Sequence, residues 1–246
     1  MSLLRSARKW SYNRRLNHIP RTKKSSDIGF ASHGQDEYIA RHLLPDVSEG
    51  VFFDIGANDG INISNTYYFE KVLNWTGIAI EPLPRAYKQL LVNRRCFKVN
   101  GCVTDYDGET RFLEIQDGCE MLSGIPNKFD KQHERRVRKY LRRYKASSHE
   151  IVVPCYTPAR LLRKHGIAQV NYLSVDTEGG EIDILQAIDF QNIEIDVVSV
   201  ENNYFGSTIE EFMADSGYDL VAIGGVDEIY RKRNRRIAML PRQMAA

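Results

Sequence analysis

The chain has 246 residues, with 34 Lys and Arg against 32 Asp and Glu, and a hydrophobic share of 42% that suits a globular core. No apolar run approaches the roughly 18 residues that argue for a membrane-spanning helix, and no signal-peptide pattern follows Leu3-Leu4, so a cytoplasmic protein without a membrane span is expected. Cys96, Cys102, Cys119 and Cys155 have neither C-x-x-C spacing nor nearby histidine pairs, which argues against zinc and for free thiols in a reducing compartment.

The near-neutral charge hides segregation. Residues 1–24 hold eight Lys and Arg and no acid, residues 128–145 hold nine against Asp130 and Glu134, and residues 231–242 hold six and no acid. What remains has eleven basic and thirty acidic residues, an acidic body with three basic appendages. Residues 1–30 read as a mobile basic arm, 31–235 as a single domain with an inserted basic helix over 127–147, and 236–246 as a tail.

In chain order, residues 32–44 place Ile39, Leu43 and Leu44 at helical spacing, and that helix is expected to lie over a ligand mouth. Residues 51–55 read as a short buried strand that carries Asp54 near its end. Gly56 and Gly60 then make a turn into a helix over 61–73, the pattern of a nucleotide-cofactor crossover, in which glycines allow close approach to the backbone. Asn58 breaks the G-x-G-x-x-G fingerprint, which disfavours nicotinamide chemistry. Residues 77–81 form a second strand whose terminal Glu81 is suited to accept hydrogen bonds from ribose hydroxyls.

A helix over 84–95 and a third strand over 96–103 follow, and a turn at 105–108 returns the chain as a hairpin strand over 109–115. Loop composition over 117–126 precedes an amphipathic basic helix over 129–144, with Val137, Tyr140, Leu141 and Tyr144 on one face. A solvated face is the commoner reading of such a helix, and an anionic substrate or partner is the other. Crossovers resume at 151–153, with a helix from Thr157-Pro158 to His165. Strand 172–176 runs into a second Gly-bearing turn over 177–181, followed by a helix over 182–188. A strand over 195–201, a helix over 208–216 and a hairpin of 218–223 with 227–232 complete the chain. The fold class is α/β, a doubly wound, mostly parallel sheet closed by an antiparallel hairpin. Asp54, Glu81, Asp176 and Glu201 then share the carboxyl edge, where open α/β sheets bind ligands. His33 and His42 flank the first helix and read as surface or capping residues, and Tyr67-Tyr68-Phe69 reads as core.

Asp54-x-Gly56-x-Asn58-x-Gly60 resembles the first motif of class I S-adenosylmethionine-dependent methyltransferases. With Gly34-Gln35-Asp36, Ser64-Asn65-Thr66, Ile80-Glu81-Pro82, Asn93-Arg94-Arg95-Cys96, Asp176-Thr177-Glu178-Gly179-Gly180-Glu181, Val200-Glu201-Asn202 and Asp227-Glu228-Ile229, the chain resembles the FkbM family from about residue 33 to 232. The basic arm and the 128–145 helix lie outside that pattern. The resemblance implies methyl transfer from S-adenosyl-L-methionine to a hydroxyl of a saccharide, glycan or secondary metabolite. By analogy, Gly56, Ala57, Asn58 and Gly60 line the methionine part, Glu81 holds the ribose, and Cys102 and Val103 sit by the adenine. Asp54 orients the loop or the cofactor's amino group, and Asp176 borders the cofactor. Gln35, Asp36 and Asn202 fall to the acceptor side.

An attacking hydroxyl needs a base, and Asp176, Glu178 and Glu201 are the carboxylates placed for it. A magnesium site built from Asp176, Glu201 and Asn202 is the variant. It ranks behind the metal-free site because Glu stands where Asp is usual. A nucleic-acid acceptor held by the basic segments and a catalytically silent binding protein are the alternatives. The oligomeric state is left open.

Overall fold

Neighbouring residues of the central strands are apolar on both sides, as a sheet covered on both faces requires. In the computed structural model, which describes residues 17–19, 30–204 and 206–233, Phe52, Ala79, Tyr172, Val197 and Ile229 face one layer. Phe53, Ile78, Leu173, Val198 and Tyr230 face the other. The strands are β1 (Asn17–His18), β2 (Val51–Ile55), β3 (Thr76–Glu81), β4 (Phe97–Asn100), β5 (Cys102–Val103), β6 (Gly108–Ile115), β7 (Ser148–Tyr156), β8 (Gln169–Val175), β9 (Glu194–Glu201), β10 (Tyr218–Gly224) and β11 (Asp227–Lys232). The main sheet has eight strands in the order β1-β10-β11-β9-β8-β2-β3-β4, and only β11 runs antiparallel to its neighbours.

Helix α1 (Gln35–Tyr38), extended by a π turn over Ile39–Leu43, packs on the first face with α2 (Tyr67–Lys71) and α3 (Pro84–Asn93). Helices α5 (Pro158–Lys164), α6 (Glu181–Gln186) and α7 (Thr208–Asp215) cover the other. The chain builds outward from β2 to β4, then returns to β8 beside β2. Strand order therefore reverses between β2 and β8, where a crevice opens beyond the carboxyl ends. Among the described residues no helix is long and apolar enough to cross a membrane. The basic arm expected over 1–30 (apart from 17–19 and Phe30) and the tail over 236–246 lie outside the described residues; Asn17–His18 pairs in parallel with β10.

Four local expectations change. Residues 61–66 are not helical, because Asp59 Oδ1 accepts from the N–H of Ile61 and Asn62, Ile63 is left-handed (φ 51°), and Ser64 Oγ accepts from Tyr67 N. The third strand breaks at Gly101 (φ 149°), where an added Cβ would lie 2.6 Å from the Pro154 carbonyl oxygen. The 105–108 turn does not close a hairpin: β5, β7 and β6 form a second sheet with β7 in the middle, so 151–153 leaves the main sheet. Helix α1 lies on the sheet face rather than over the mouth, since Ile39, Leu43 and Leu44 are buried against Phe52, Phe69 and Trp75.

The basic helix α4 (Lys131–Tyr144) forms as the sequence indicates. Asp130 caps it by accepting from Gln132 N and His133 N, and Val137, Tyr140 and Leu141 pack on Ile115 and Leu122 beside the second sheet.

Arg94, at the end of α3, is fully buried beneath the crevice. Its Nε meets Glu70 Oε2 at 2.7 Å, Nη2 donates to Thr66 Oγ1 at 3.0 Å, Nη1 donates to the Gly60 carbonyl at 3.3 Å, and Asp54 Oδ2 lies 3.9 Å away. One guanidinium thus ties the first loop to α2 and α3. Arg94→Met leaves Glu70 and Asp54 buried without their cation, and we expect a loss of about 3–5 kcal/mol in urea unfolding, partly recovered by adding Glu70→Gln.

Candidate active site

The first and fourth loops meet by direct backbone contact. Asp176 N donates to the Ile55 carbonyl at 3.0 Å, and a Cβ on Gly56 (φ 92°) would fall 1.8 Å from the Asp176 carbonyl oxygen. Gly56 is required here by the neighbouring loop, not only by ligand access. Asn58 takes a left-handed conformation (φ 49°), which Asn tolerates, and its N–H donates to Glu81 Oε2 at 2.8 Å. Leu83 N donates to Glu81 Oε1 at 2.8 Å. Each Glu81 oxygen is thus oriented by one backbone donor, with acceptor capacity left over. Burial pushes the Glu81 carboxyl up to about 7, against the pull of the Leu83 and Asn58 N–H groups.

An open crevice of about 1160 Å³, counting the solvent at its mouth, lies above these residues. It brings together Asp54, Gly56, Ala57, Asn58, Glu81, Cys102, Val103, Asp176 and Glu178. Other predicted residues do not line it. Gly60 packs against Leu90 and Arg94. Gln35 Nε2 donates to Asn65 Oδ1 and Asp227 Oδ2, and Asp36 accepts from Phe30 N and Ala31 N. Asn202 Nδ2 donates to the Gly206 carbonyl and to Glu228 Oε1. Glu201 does not line it either; it couples to Asp176, whose charge raises Glu201 and whose carboxyl a hydrogen bond from Glu201 pulls down.

The cavity also exposes residues that the sequence reading assigned no role. Asn62 and Asn65 come from the irregular segment after Gly60, and Thr104, Phe112 and Ile125 come from the second sheet and its loops. Lys128 Nζ bridges Asp183 Oδ2 at 2.7 Å on the rim. Loop composition over 117–126 indicated a loop there but no contact. Arg94 lay within a quoted motif without a function attached to it. His42 is exposed, and Tyr68 and Phe69 are core, as expected.

Five carboxylates gather at the ends of β8, β9 and β11. Burial, reinforced by the charges of Glu181 and Asp54, pushes Asp176 up to about 7. Glu178 is pushed to about 7 by burial, opposed by Arg136 and reinforced by Asp176 and Glu181. Glu201 and Asp227 are held well above the usual carboxylate range by burial and by Asp176, and burial raises Glu181. Among the described residues no group of three or more His, Cys, Asp or Glu is arranged to hold a metal ion, and the Asn202 amide is engaged elsewhere.

The family model of the methyltransferase FkbM domain matches residues 54–220. The chain belongs to the FkbM methyltransferase family. The match begins at Asp54 and spans the Gly-bearing loop, Glu81, the second sheet, α4 and the carboxylate turn. No curated protein matches the chain. The α/β sheet agrees with this membership, and the protein is a methyltransferase.

Because Asp176, Glu178 and Glu81 titrate higher folded than unfolded, the folded state holds more protons between their ordinary values (3.8 and 4.5) and about 7. Their stabilising contribution is complete below that window and is lost as pH rises through about 7. Thermal unfolding of the ligand-free protein should show a midpoint that falls from about pH 5 to pH 8, and Asp176→Asn should flatten that fall.

Proposed function

We propose that the protein transfers a methyl group from S-adenosyl-L-methionine to a hydroxyl oxygen of a saccharide, glycan or secondary metabolite. The observation that carries this reading is one cavity with Glu81 on one wall and the pair Asp176 and Glu178 on the other. The donor set fits the cofactor: an oriented carboxylate for two ribose hydroxyls, backbone at Gly56–Asn58 for the methionine part, and Val103, Phe112 and Ile125 as an apolar slot for adenine. The cofactor, when bound, supplies an electrophilic methyl carbon.

The chain must align the acceptor oxygen with that carbon and remove the hydroxyl proton. Glu178 and Asp176 are the bases in this reading, raised into a range where a carboxylate takes a proton effectively near neutral pH. Glu201 orients Asp176 through their shared hydrogen bond. Gln35 supports the acceptor side indirectly by holding Asn65 of the cavity wall, while Asp36 fixes the segment at Phe30 and Ala31 and Asn202 ties the end of β9 to Glu228 on β11. Four buried free cysteines suit a reducing compartment, and we place the protein in the cytoplasm on that ground.

A nucleic-acid acceptor is the second reading, favoured by the exposed row of Lys131, Arg135, Arg138, Lys139, Arg142 and Arg143 on α4. Binding to single-stranded RNA that weakens steeply between 50 and 200 mM salt would favour it.

The primary test is thermal unfolding with S-adenosylhomocysteine and, separately, with NAD. At a hundred times its dissociation constant a ligand stabilises by about 2.7 kcal/mol, roughly 5–10 °C for a chain of this size. A shift with S-adenosylhomocysteine alone is expected, and a shift with NAD alone refutes the cofactor assignment. With a methylated acceptor in hand, Glu178→Gln should lower kcat by about 10²–10⁴-fold while preserving that shift.

A further inference from the structure

Glu178 sits in a left-handed conformation (φ 56°), unusual for a residue with a long side chain, at the head of the turn that continues through Gly179 and Gly180. Its side chain is buried and lines the cavity. Three side chains converge on one of its two oxygens. Arg136 Nη1 donates to Oε2 at 3.1 Å, Asn203 Nδ2 donates to it at 3.3 Å, and His133 Nδ1 lies 3.5 Å from it. Oε1 has no protein partner among the described residues.

Arg136 and His133 lie three residues apart on one face of α4, the face that also buries Val137. They reach Glu178 from 42 and 45 residues away in the chain, out of a segment that the motif pattern left without a role. The outer face of α4 carries the exposed cations, and the inner face carries these two contacts. One buried ring and one partly exposed cation of the helix are thus set against the carboxylate turn.

We propose that α4 completes the catalytic centre through Arg136, a positioning residue whose guanidinium holds Oε2 of Glu178 and leaves Oε1 turned to the acceptor as an ionised base. This rests on the reading of Glu178 as a base. His133 acts in the opposite sense. Its Nε2 lies 3.2 Å from the Leu122 carbonyl, which can only accept, so Nε2 carries the ring hydrogen. Burial holds the ring below its ordinary value, with Arg136 adding to the effect, so the ring is neutral and presents a bare Nδ1 lone pair to the carboxylate.

That lone pair favours the protonated acid, and the guanidinium favours the carboxylate. The other charged groups that face Glu178 are Asp176 at the end of β8, Glu181 on α6 and Glu201 at the end of β9. All three are acidic and all oppose ionisation. Arg136 is therefore the cation that offsets three carboxylates and a ring lone pair, which lets one group both take and release a proton in the neutral range.

The test needs no acceptor. Carboxyl-¹³C glutamate is incorporated into the full chain, and the Glu178 resonance is assigned by its loss in Glu178→Gln. In Arg136→Met its titration midpoint should move up by about one unit, the low end of what an adjacent opposite charge contributes. Arg136→Lys should return it toward the wild-type value, and Arg136→Gln, which keeps a donor but no charge, should behave as Met does. Arg138→Met removes an exposed cation that pairs with Glu134 on the same helix and should leave the midpoint unchanged.

An unmoved midpoint in both Arg136→Met and Arg136→Gln overturns the proposal, as does an equal shift in Arg138→Met, which would mean that only the helix's overall charge matters. The unfolding shift with S-adenosylhomocysteine is measured on the same samples. Its absence in the wild type would strike the cofactor reading, while the titration judges the Arg136 contact separately.

Discussion

A buried guanidinium underlies the cavity. Arg94 has its side chain out of water, where Glu70, Thr66 and the Gly60 carbonyl occupy its donors at hydrogen-bonding distances. Its charge acts upward on Asp54, whose carboxyl burial pushes up and Arg94 pulls back down. It acts sideways on Glu70, which Arg94 and the Arg95 N–H hold below its ordinary value despite burial. Removing Arg94 would free the irregular stretch 61–66, which supplies Asn62 and Asn65 to the cavity wall. The mouth of the site is therefore shaped from below by an ion network rather than by helix propensity.

Above that base, the geometry is set by how closely two parallel strands end together. With Ile55 paired to Val175, Gly56 and Asp176 arrive at the same level and their backbones touch. That contact sets Asp54, Glu81 and Asp176 around one opening. It also concentrates negative charge: five carboxylates end up within a region whose solvent has been displaced by the sheet and its hairpin. Repulsion and desolvation both favour their protonated forms. A site of this kind binds a cationic centre well, and a sulfonium is one, so the electrostatics that raise the carboxyl pKa values also suit the proposed cofactor.

The inserted segment gives this acidic site its counter-charges. Lys128 meets Asp183 on the rim and Arg136 meets Glu178 within, both from a stretch of strongly basic composition. An acidic body with a basic insertion, visible as charge segregation in the chain, becomes an acidic cavity with Lys128 at its rim and Arg136 beside Glu178.

The alternation of strand and helix, the Gly-bearing turn after Asp54 and the terminal carboxylates of three parallel strands were legible because they are local. Strand periodicity, turn chemistry and the position of an acid at a strand end are properties of a few consecutive residues. The second sheet was not legible, since β5, β6 and β7 are joined by pairings between residues 33 to 53 apart, and a Gly at 101 does not announce which strand will accept the chain. Gln35, Asp36, Glu201 and Asn202 carried the right motif but are drawn into hydrogen bonds with partners up to 192 residues away, and no local pattern reveals that.

The chain by itself determined the doubly wound sheet and the set of acids at its carboxyl edge, because short-range sterics and hydrophobic period govern both, and its motifs carried the family resemblance. Only the tertiary structure decided which of those acids face the cavity, and that Arg94 and Arg136 stand beside them, because a carboxylate's role depends on its distance to charges and donors that the fold alone brings together.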